Sequence, residues 1–198
     1  GTVTLSGENT YTGTTTISNG TLTYGGSNIL STGAVTINGG TLNIDSYTDT
    51  VGAVTLESGS ITGTGTLTGS SYAVKSGAIG AILGGSSVGL TKSTGGTVTL
   101  SGENTYTGTT TISAGTLALG ADNVLSDETE VSVTGIFDLA DNSDTINVLS
   151  GAGSVLLGSG TLSVGGNNGS GSFSGVIAES GGLTKLGSGT VTLSGENT

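Results

Sequence analysis

GTVTLSGENTYTGTTTIS runs from Gly1 to Ser18, the same stretch runs from Gly96 to Ser113, and residues 189–198 spell its opening decapeptide again. The lead-in recurs with the copies, as GLTKSTGG at Gly89 and GLTKLGSG at Gly182. The large unit is therefore about 94 residues long, a period that marks a repeat architecture. The chain divides into repeats at 1–95 and 96–188 and a partial third at 189–198. A chain that starts and stops inside one repeat is expected to be a piece of a longer one.

A finer period lies inside the large one. GTTTI begins at Gly13, GAVTI at Gly33 and GAVTL at Gly52, while GTLTY begins at Gly20, GTLNI at Gly40 and GSITG at Gly59, so the two series advance in step. GTLAL at Gly115 and GIFDL at Gly135 keep the same stride, and the register loosens toward GSVLL at Gly153 and GTLSV at Gly160. Two columns sharing one period point to stacked coils of about 20 residues.

Each segment is a glycine followed by strict alternation, as in Thr2-Val3-Thr4-Leu5 or Thr41-Leu42-Asn43-Ile44. Alternation puts Val, Leu and Ile on one face and Thr, Ser or Asn on the other, the pattern of a half-buried strand. The branched Cβ of Thr, Val and Ile favours the pleat, and the bounding Asn-Gly and Ser-Gly pairs suit tight turns. Sustained helical periodicity is absent, and Gly 40 weighs against helix. The predicted fold is an all-β, right-handed, single-stranded parallel β-helix of about ten coils, one continuous solenoid over 1–198, in preference to a β-sandwich, which needs no fixed period. Its expected inward column comprises Val3, Leu5, Leu22, Val35, Ile37, Leu42, Ile44, Val54, Leu56, Val98, Leu100, Leu117, Leu119, Leu162, Val164, Val191 and Leu193.

Composition narrows the chemistry. The chain has Cys 0 and His 0, which removes disulfides, thiol and imidazole catalysis and the usual ligands of zinc, haem and copper. Its three basic residues, Lys75, Lys92 and Lys185, stand against fourteen acidic ones, a net charge of -11. Nucleic acid and anionic membranes are therefore poor partners. The longest nearly apolar run, AIGAIL from Ala78, is far shorter than a membrane-crossing helix requires.

GENTYTGTTTISNGTL at Gly7, GENTYTGTTTISAGTL at Gly102 and GGLTKLGSGTVTLSGENT at Gly181 resemble the autotransporter-associated β-strand repeat of bacterial type V secretion passenger domains. The stretch 137–177 is similar to the linkers between such copies. The resemblance implies an export signal upstream, an outer-membrane β-barrel downstream in the same parent chain, and a passenger that folds at the bacterial cell surface, attached or released. It implies a structural or adhesive stalk with contacts to cells, matrix or carbohydrate. No cofactor, metal or catalytic residue follows from it.

Four sets of side chains are weighed as sites. Residues 122–144 hold Asp122, Asp127, Glu128, Glu130, Asp138, Asp141 and Asp144, clustered carboxylates that offer oxygen ligands to calcium, but their spacing matches neither an EF-hand nor a GGxGxD nonapeptide, and a solvated loop cluster is the preferred reading. Glu8 with Asp45 or Asp49, or Asp138 with Asp141, are the pairs available for general acid and base work. Outward Thr-x-Thr pairs, Thr2/Thr4, Thr14/Thr16, Thr21/Thr23, Thr66/Thr68 and Thr97/Thr99, would form a hydroxyl array on a flat sheet, an arrangement similar to ice-binding β-helices. Tyr11 and Tyr106 occupy the same place in two copies, where a ring either stacks on a sugar or covers a corner. The possible ligand-facing surface is thus Thr2, Thr4, Tyr11, Thr21, Thr23, Thr97, Thr99 and Tyr106, and the alternative to a stalk is an ice- or polysaccharide-binding β-helix.

Overall fold

A computed structural model describes all residues, 1–198. It contains 24 strands and no helix, and every strand pairing is parallel. The chain winds as a three-faced β-solenoid. Each coil crosses the first face, turns a corner onto the second, and turns again onto the third.

The first face begins with Thr2–Leu5 and climbs through Thr21–Tyr24, the end of Val35–Asn43 and the end of Val54–Thr62. It continues through Gly77–Ile79, Thr97–Leu100, Thr116–Leu119, Ile136–Asp138, Ser154–Leu156 and Val176–Ala178. The third face runs in step from Thr15–Ile17 to Val191–Leu193. Register sets the coil length: Thr2 pairs with Thr21, Thr21 with Thr41 and Thr41 with Ser60. The expected stride is therefore close to the mean, and it varies where corners differ. The largest step on the first face, from Ser154 to Val176, is long because residues 165–170 bulge between the second and third faces.

The second face is a regular ladder only in part. Thr48–Thr50, Thr66–Thr68 and Ile82–Gly84 form one three-stranded sheet, and Asp144–Ile146, Thr161–Val164 and Gly182–Lys185 form another. Between them the backbone is irregular, and side chains carry the bonds.

Forty buried apolar residues form one continuous core. Of the predicted inward column, Leu22, Val35, Ile37, Leu42, Ile44, Val54, Leu56, Val98, Leu100, Leu117, Leu119, Leu162 and Val164 are buried. Val3 and Leu193 are inward by alternation but stay 58% and 37% exposed, because each lies in a terminal coil with nothing stacked on one side. Leu5 and Val191 are half-buried for the same reason. Burying each interior Leu or Ile contributes about 1.5–3 kcal/mol.

The corner between the third and first faces is a column of glycines: Gly20, Gly40, Gly59, Gly77, Gly115, Gly135, Gly153 and Gly175 recur there coil after coil. A Cβ on Gly59 would sit 2.1 Å from the carbonyl oxygen of Gly40, and one on Gly175 would sit 1.9 Å from that of Gly153. Only glycine allows the coils to approach so closely there.

The repeats differ in phase. The decapeptide GTVTLSGENT puts its strand on the first face in the first two copies, as Thr2–Leu5 and Thr97–Leu100. In the third copy the same residues form Val191–Leu193, which pairs with Gly171–Phe173 on the third face. Five whole turns separate the first two copies, and four turns and two faces separate the second from the third. The decapeptide tolerates this because it carries a glycine at each end of its strand. Gly195 comes within 1.8 Å, measured from an added Cβ, of the Gly175 carbonyl, taking the corner place that Gly1 and Gly96 hold in the other copies.

Candidate functional surfaces

The Thr-x-Thr pairs do not share one sheet. Thr2/Thr4, Thr21/Thr23 and Thr97/Thr99 lie on the first face, Thr66/Thr68 on the second, and Thr16 on the third. On the first face Thr2, Thr21, Thr41 and Ser60 form one column, and Thr4, Thr23, Asn43 and Thr62 form its neighbour. Thr41 and Ser60 are joined hydroxyl to hydroxyl at 3.0 Å. The array then breaks at Ala78, and the columns above Thr97 and Thr99 pass to Ile136 and to Ala118 and Asp138. Thr97 and Thr99 are thus separated from the lower hydroxyls.

A longer array occupies the third face, where the sequence motifs do not single it out. Register aligns Thr16, Thr36, Thr55, Ala73, Thr91, Thr111, Ser132 and Ser150 in one outward column, continued by Ser172 and Thr192. Every rung except Ala73 carries a hydroxyl. Beside it, two residues on, stand Ser93, Ser113, Thr134, Ser174 and Ser194, interrupted by Ala152, all exposed. The rungs are about 4.8 Å apart. The signal lies in the period itself: Thr16, Thr36 and Thr55 follow the same stride as their inward neighbours.

Tyr106 is not a surface residue. It is fully buried, its ring lies 5.9 Å from that of Tyr72, and its hydroxyl meets Thr110 Oγ1 at 2.8 Å. It offers no face to a sugar, which corrects its place among the ligand-facing residues. Tyr11 makes the same bond, to Thr15 Oγ1 at 2.7 Å, and is 44% exposed because no coil lies beneath it. Both are core rings of the repeat.

The acidic residues have separate duties. Asp144 is buried and accepts the backbone N–H groups of Val124 and Leu125 through Oδ2, at 3.1 and 3.0 Å. From the other side, Asn104 donates Nδ2 to the Val124 carbonyl at 2.9 Å, and its Oδ1 accepts the Leu83 N–H. Asn104 and Asp144 thus clamp the irregular coil between them and replace the missing ladder. Asn9 and Asp49 do the same in the first repeat, on Ile29 and Leu30. The sequence does not single out Asn9 or Asn104 for this role, since their partners lie in neighbouring coils. Burial pushes the Asp144 carboxyl up to about 6 despite the three N–H groups it accepts.

Asp49 is buried, so it shares no groove with exposed Glu8. Asp138, Asp141 and Glu179 line one open cleft with Ser159 and Ser180. Asp141 Oδ1 accepts the Ser159 N–H and Glu179 Oε2 accepts the Gly158 N–H, at 2.9 and 2.6 Å, so these carboxylates shape the corner. No three acidic side chains converge as a set that could hold a metal ion.

Lys92 is the unusual cation. It points inward, is fully buried, and donates Nζ to the carbonyls of Thr94 and Ala114, the latter at 3.0 Å. Desolvation lowers its ammonium below the usual lysine range. The single ion pair, Lys75 with Glu57 at 2.7 Å, is partly exposed and contributes little.

These features define a repeat protein, a parallel β-solenoid in which one motif serves more than one face and polar side chains mend the irregular coils. A family model described as the passenger-associated-transport-repeat matches residues 1–23, 25–44, 90–119 and 183–198. The matched stretches are those whose sequence resembles the autotransporter passenger repeat. No curated protein and no solved structure matches the chain.

Proposed function

We propose that this chain is a stalk segment of a bacterial autotransporter passenger displayed at the cell surface, where it holds more distal parts away from the cell. Its role is geometric, and it performs no catalysis. The observation that carries this reading is the interchangeability of its coils: the same decapeptide is built into the first face twice and the third face once. A motif that serves more than one face adds length without a new fold. The family supports export of the parent chain through a C-terminal outer-membrane barrel. Weak contacts to cells, matrix or carbohydrate fit the same surface.

The test varies length alone. In cells displaying the parent passenger, insertion of a second copy of residues 1–95 should raise a distal fluorescent tag by about 24 Å, five rungs of about 4.8 Å. Substitution of outward residues at constant length should leave the height unchanged. A height that ignores the insertion overturns the stalk.

A second reading rests on the third-face hydroxyl column, which suits an ordered solid such as ice or a crystalline polysaccharide. Thr36→Tyr with Thr111→Tyr should then abolish thermal hysteresis or co-sedimentation with the solid while the fold is retained. Wild-type protein that shows neither activity removes this reading.

A further inference from the structure

Asparagine is followed by glycine at three places, Asn19-Gly20, Asn38-Gly39 and Asn168-Gly169. In such a pair no Cβ shields the glycine amide nitrogen from the neighbouring carboxamide, and asparagine is thermolabile for this reason. The two groups react only where the fold leaves them free to meet.

The three pairs are held differently. At Asn168 both reacting groups are engaged: its Oδ1 accepts the Ser188 N–H at 2.9 Å, and the Gly169 N–H is donated to Asn147 Oδ1 at 2.8 Å. Asn38 pairs with Ser58 inside Val35–Asn43, a strand with a paired strand on each side, so the ladder fixes its backbone. Asn19 has neither restraint. It lies in the bend between Thr15–Ile17 and Thr21–Tyr24, it is exposed, and no protein group bonds its carboxamide or the Gly20 N–H.

The second copy shows that this freedom belongs to the corner itself. Gly115 takes the place of Gly20 with φ +67 against +71, it has Thr94 and Gly96 beneath it, and its N–H likewise makes no hydrogen bond. Ala114, the residue before it, is half-exposed although coils lie on both sides. The two copies differ here in the side chain alone, asparagine in one and alanine in the other.

We infer that Asn19 is a site of self-modification, at which the Gly20 nitrogen displaces ammonia from the carboxamide. The bond from Gly20 N to Cγ forms as the bond from Cγ to Nδ2 breaks, and the proton lost by Gly20 N leaves with the ammonia. Water then opens the resulting cyclic imide at one of its two carbonyls. Opening at Cγ leaves an aspartate, and opening at the main-chain carbonyl leaves an isoaspartate whose backbone runs through Cβ. Either product adds a negative charge to the corner. The isoaspartate also lengthens the main chain just before Gly20, whose carbonyl accepts the Thr41 N–H of the next coil, and so disturbs that joint.

The test incubates the folded 198-residue chain in mildly alkaline buffer and maps its peptides by mass spectrometry, with labelling by isoaspartyl methyltransferase as a second readout. Asn19 should convert to aspartyl and isoaspartyl forms while Asn38 and Asn168 persist, and in concentrated urea all three should convert at similar rates. Asn147→Ala, which releases the Gly169 N–H, should speed conversion at Asn168 and leave Asn19 unaffected. Ala114→Asn, checked for unchanged circular dichroism, sets the same pair in a coil covered on both sides and should convert as Asn19 does. Asn19 that persists in the folded chain overturns the proposal. So does Asn168 converting as fast as Asn19 in the wild type, since the fold would then have no influence. Ala114→Asn that stays intact would tie the reaction to the uncovered first coil, and it overturns the proposal as well.

Discussion

A Cβ separates two glycines that look alike in the sequence. Gly59 has φ +97 and stands 2.1 Å, measured from an added Cβ, from a backbone oxygen, whereas Gly95 has open space around it. Gly59→Ala should cost about 3 kcal/mol through strain and coil separation. Gly95→Ala should change stability by less than about 1 kcal/mol; chemical denaturation of both variants measures the contrast. Asp144 gives a second residue-scale prediction. Its carboxyl lies at about 6 in the folded state against an ordinary value of 3.8, so the folded state binds the proton more tightly. The sign follows: the stability linked to this group is fully present below 3.8 and is lost as pH rises through about 6. Melting temperature should therefore fall between about pH 4 and about pH 7. Asp144→Asn keeps an acceptor for Val124 and Leu125, sets its amide NH2 against the Thr145 N–H, and should flatten that slope because it removes the titrating group. A wild-type curve with no slope in this window, or an unchanged slope in Asp144→Asn, contradicts the assignment.

Within a strand, alternation decides the cost of a change. Leu42 is fully buried and Thr36 of the same strand, Val35–Asn43, faces out. Leu42→Ala should cost about 2–5 kcal/mol, and Thr36→Ser should stay within about 0.5 kcal/mol. Equal losses in urea unfolding would refute the facing of this strand. This much was legible in the sequence, because apolar alternation and a steady stride are local signals that survive in every copy. Which face a copy occupies was not legible, since it depends on the summed lengths of all corners below it, and the long coil at 154–176 shifts everything above. Tyr106 was ambiguous because a ring beside Glu-Asn-Thr looks like a turn residue until Tyr72, far off in sequence, is seen beneath it. The Asn104 and Asp144 clamp needs partners one coil away on each side, so no local pattern announces it. The third-face hydroxyls stay hidden because Ser132, Ser150 and Ser172 sit in segments that share no motif with Thr16 or Thr36.

For the molecule as a whole, contacts join each coil to its two neighbours, so stability is a sum of similar layers with weaker ends. Hydrogen exchange should be fastest in the first and last coils and slowest between positions 54 and 164, where the inward side chains are covered on both sides. The sharper consequence concerns deletion. Ser60 pairs with Ala78, so removing the stretch 60–77 takes out one whole coil and joins Gly59 to Ala78 in register. Leu83 then descends onto Asp49 in place of Leu67, and Leu90 descends onto Val54 in place of Tyr72, each an exchange along an existing column. The Lys75–Glu57 pair and the Tyr72 ring are lost, while the Asn104 and Asp144 clamp is untouched. The shortened chain should fold with the same circular dichroism per residue and a melting temperature only a few degrees lower. Removing Leu42 alone is a far smaller deletion, yet it moves Asn43 into the inward place and turns the buried Ile44 outward. If the single-residue deletion proved milder than the loss of a whole coil, the molecule would be cooperative in a way that stacked, exchangeable coils cannot be.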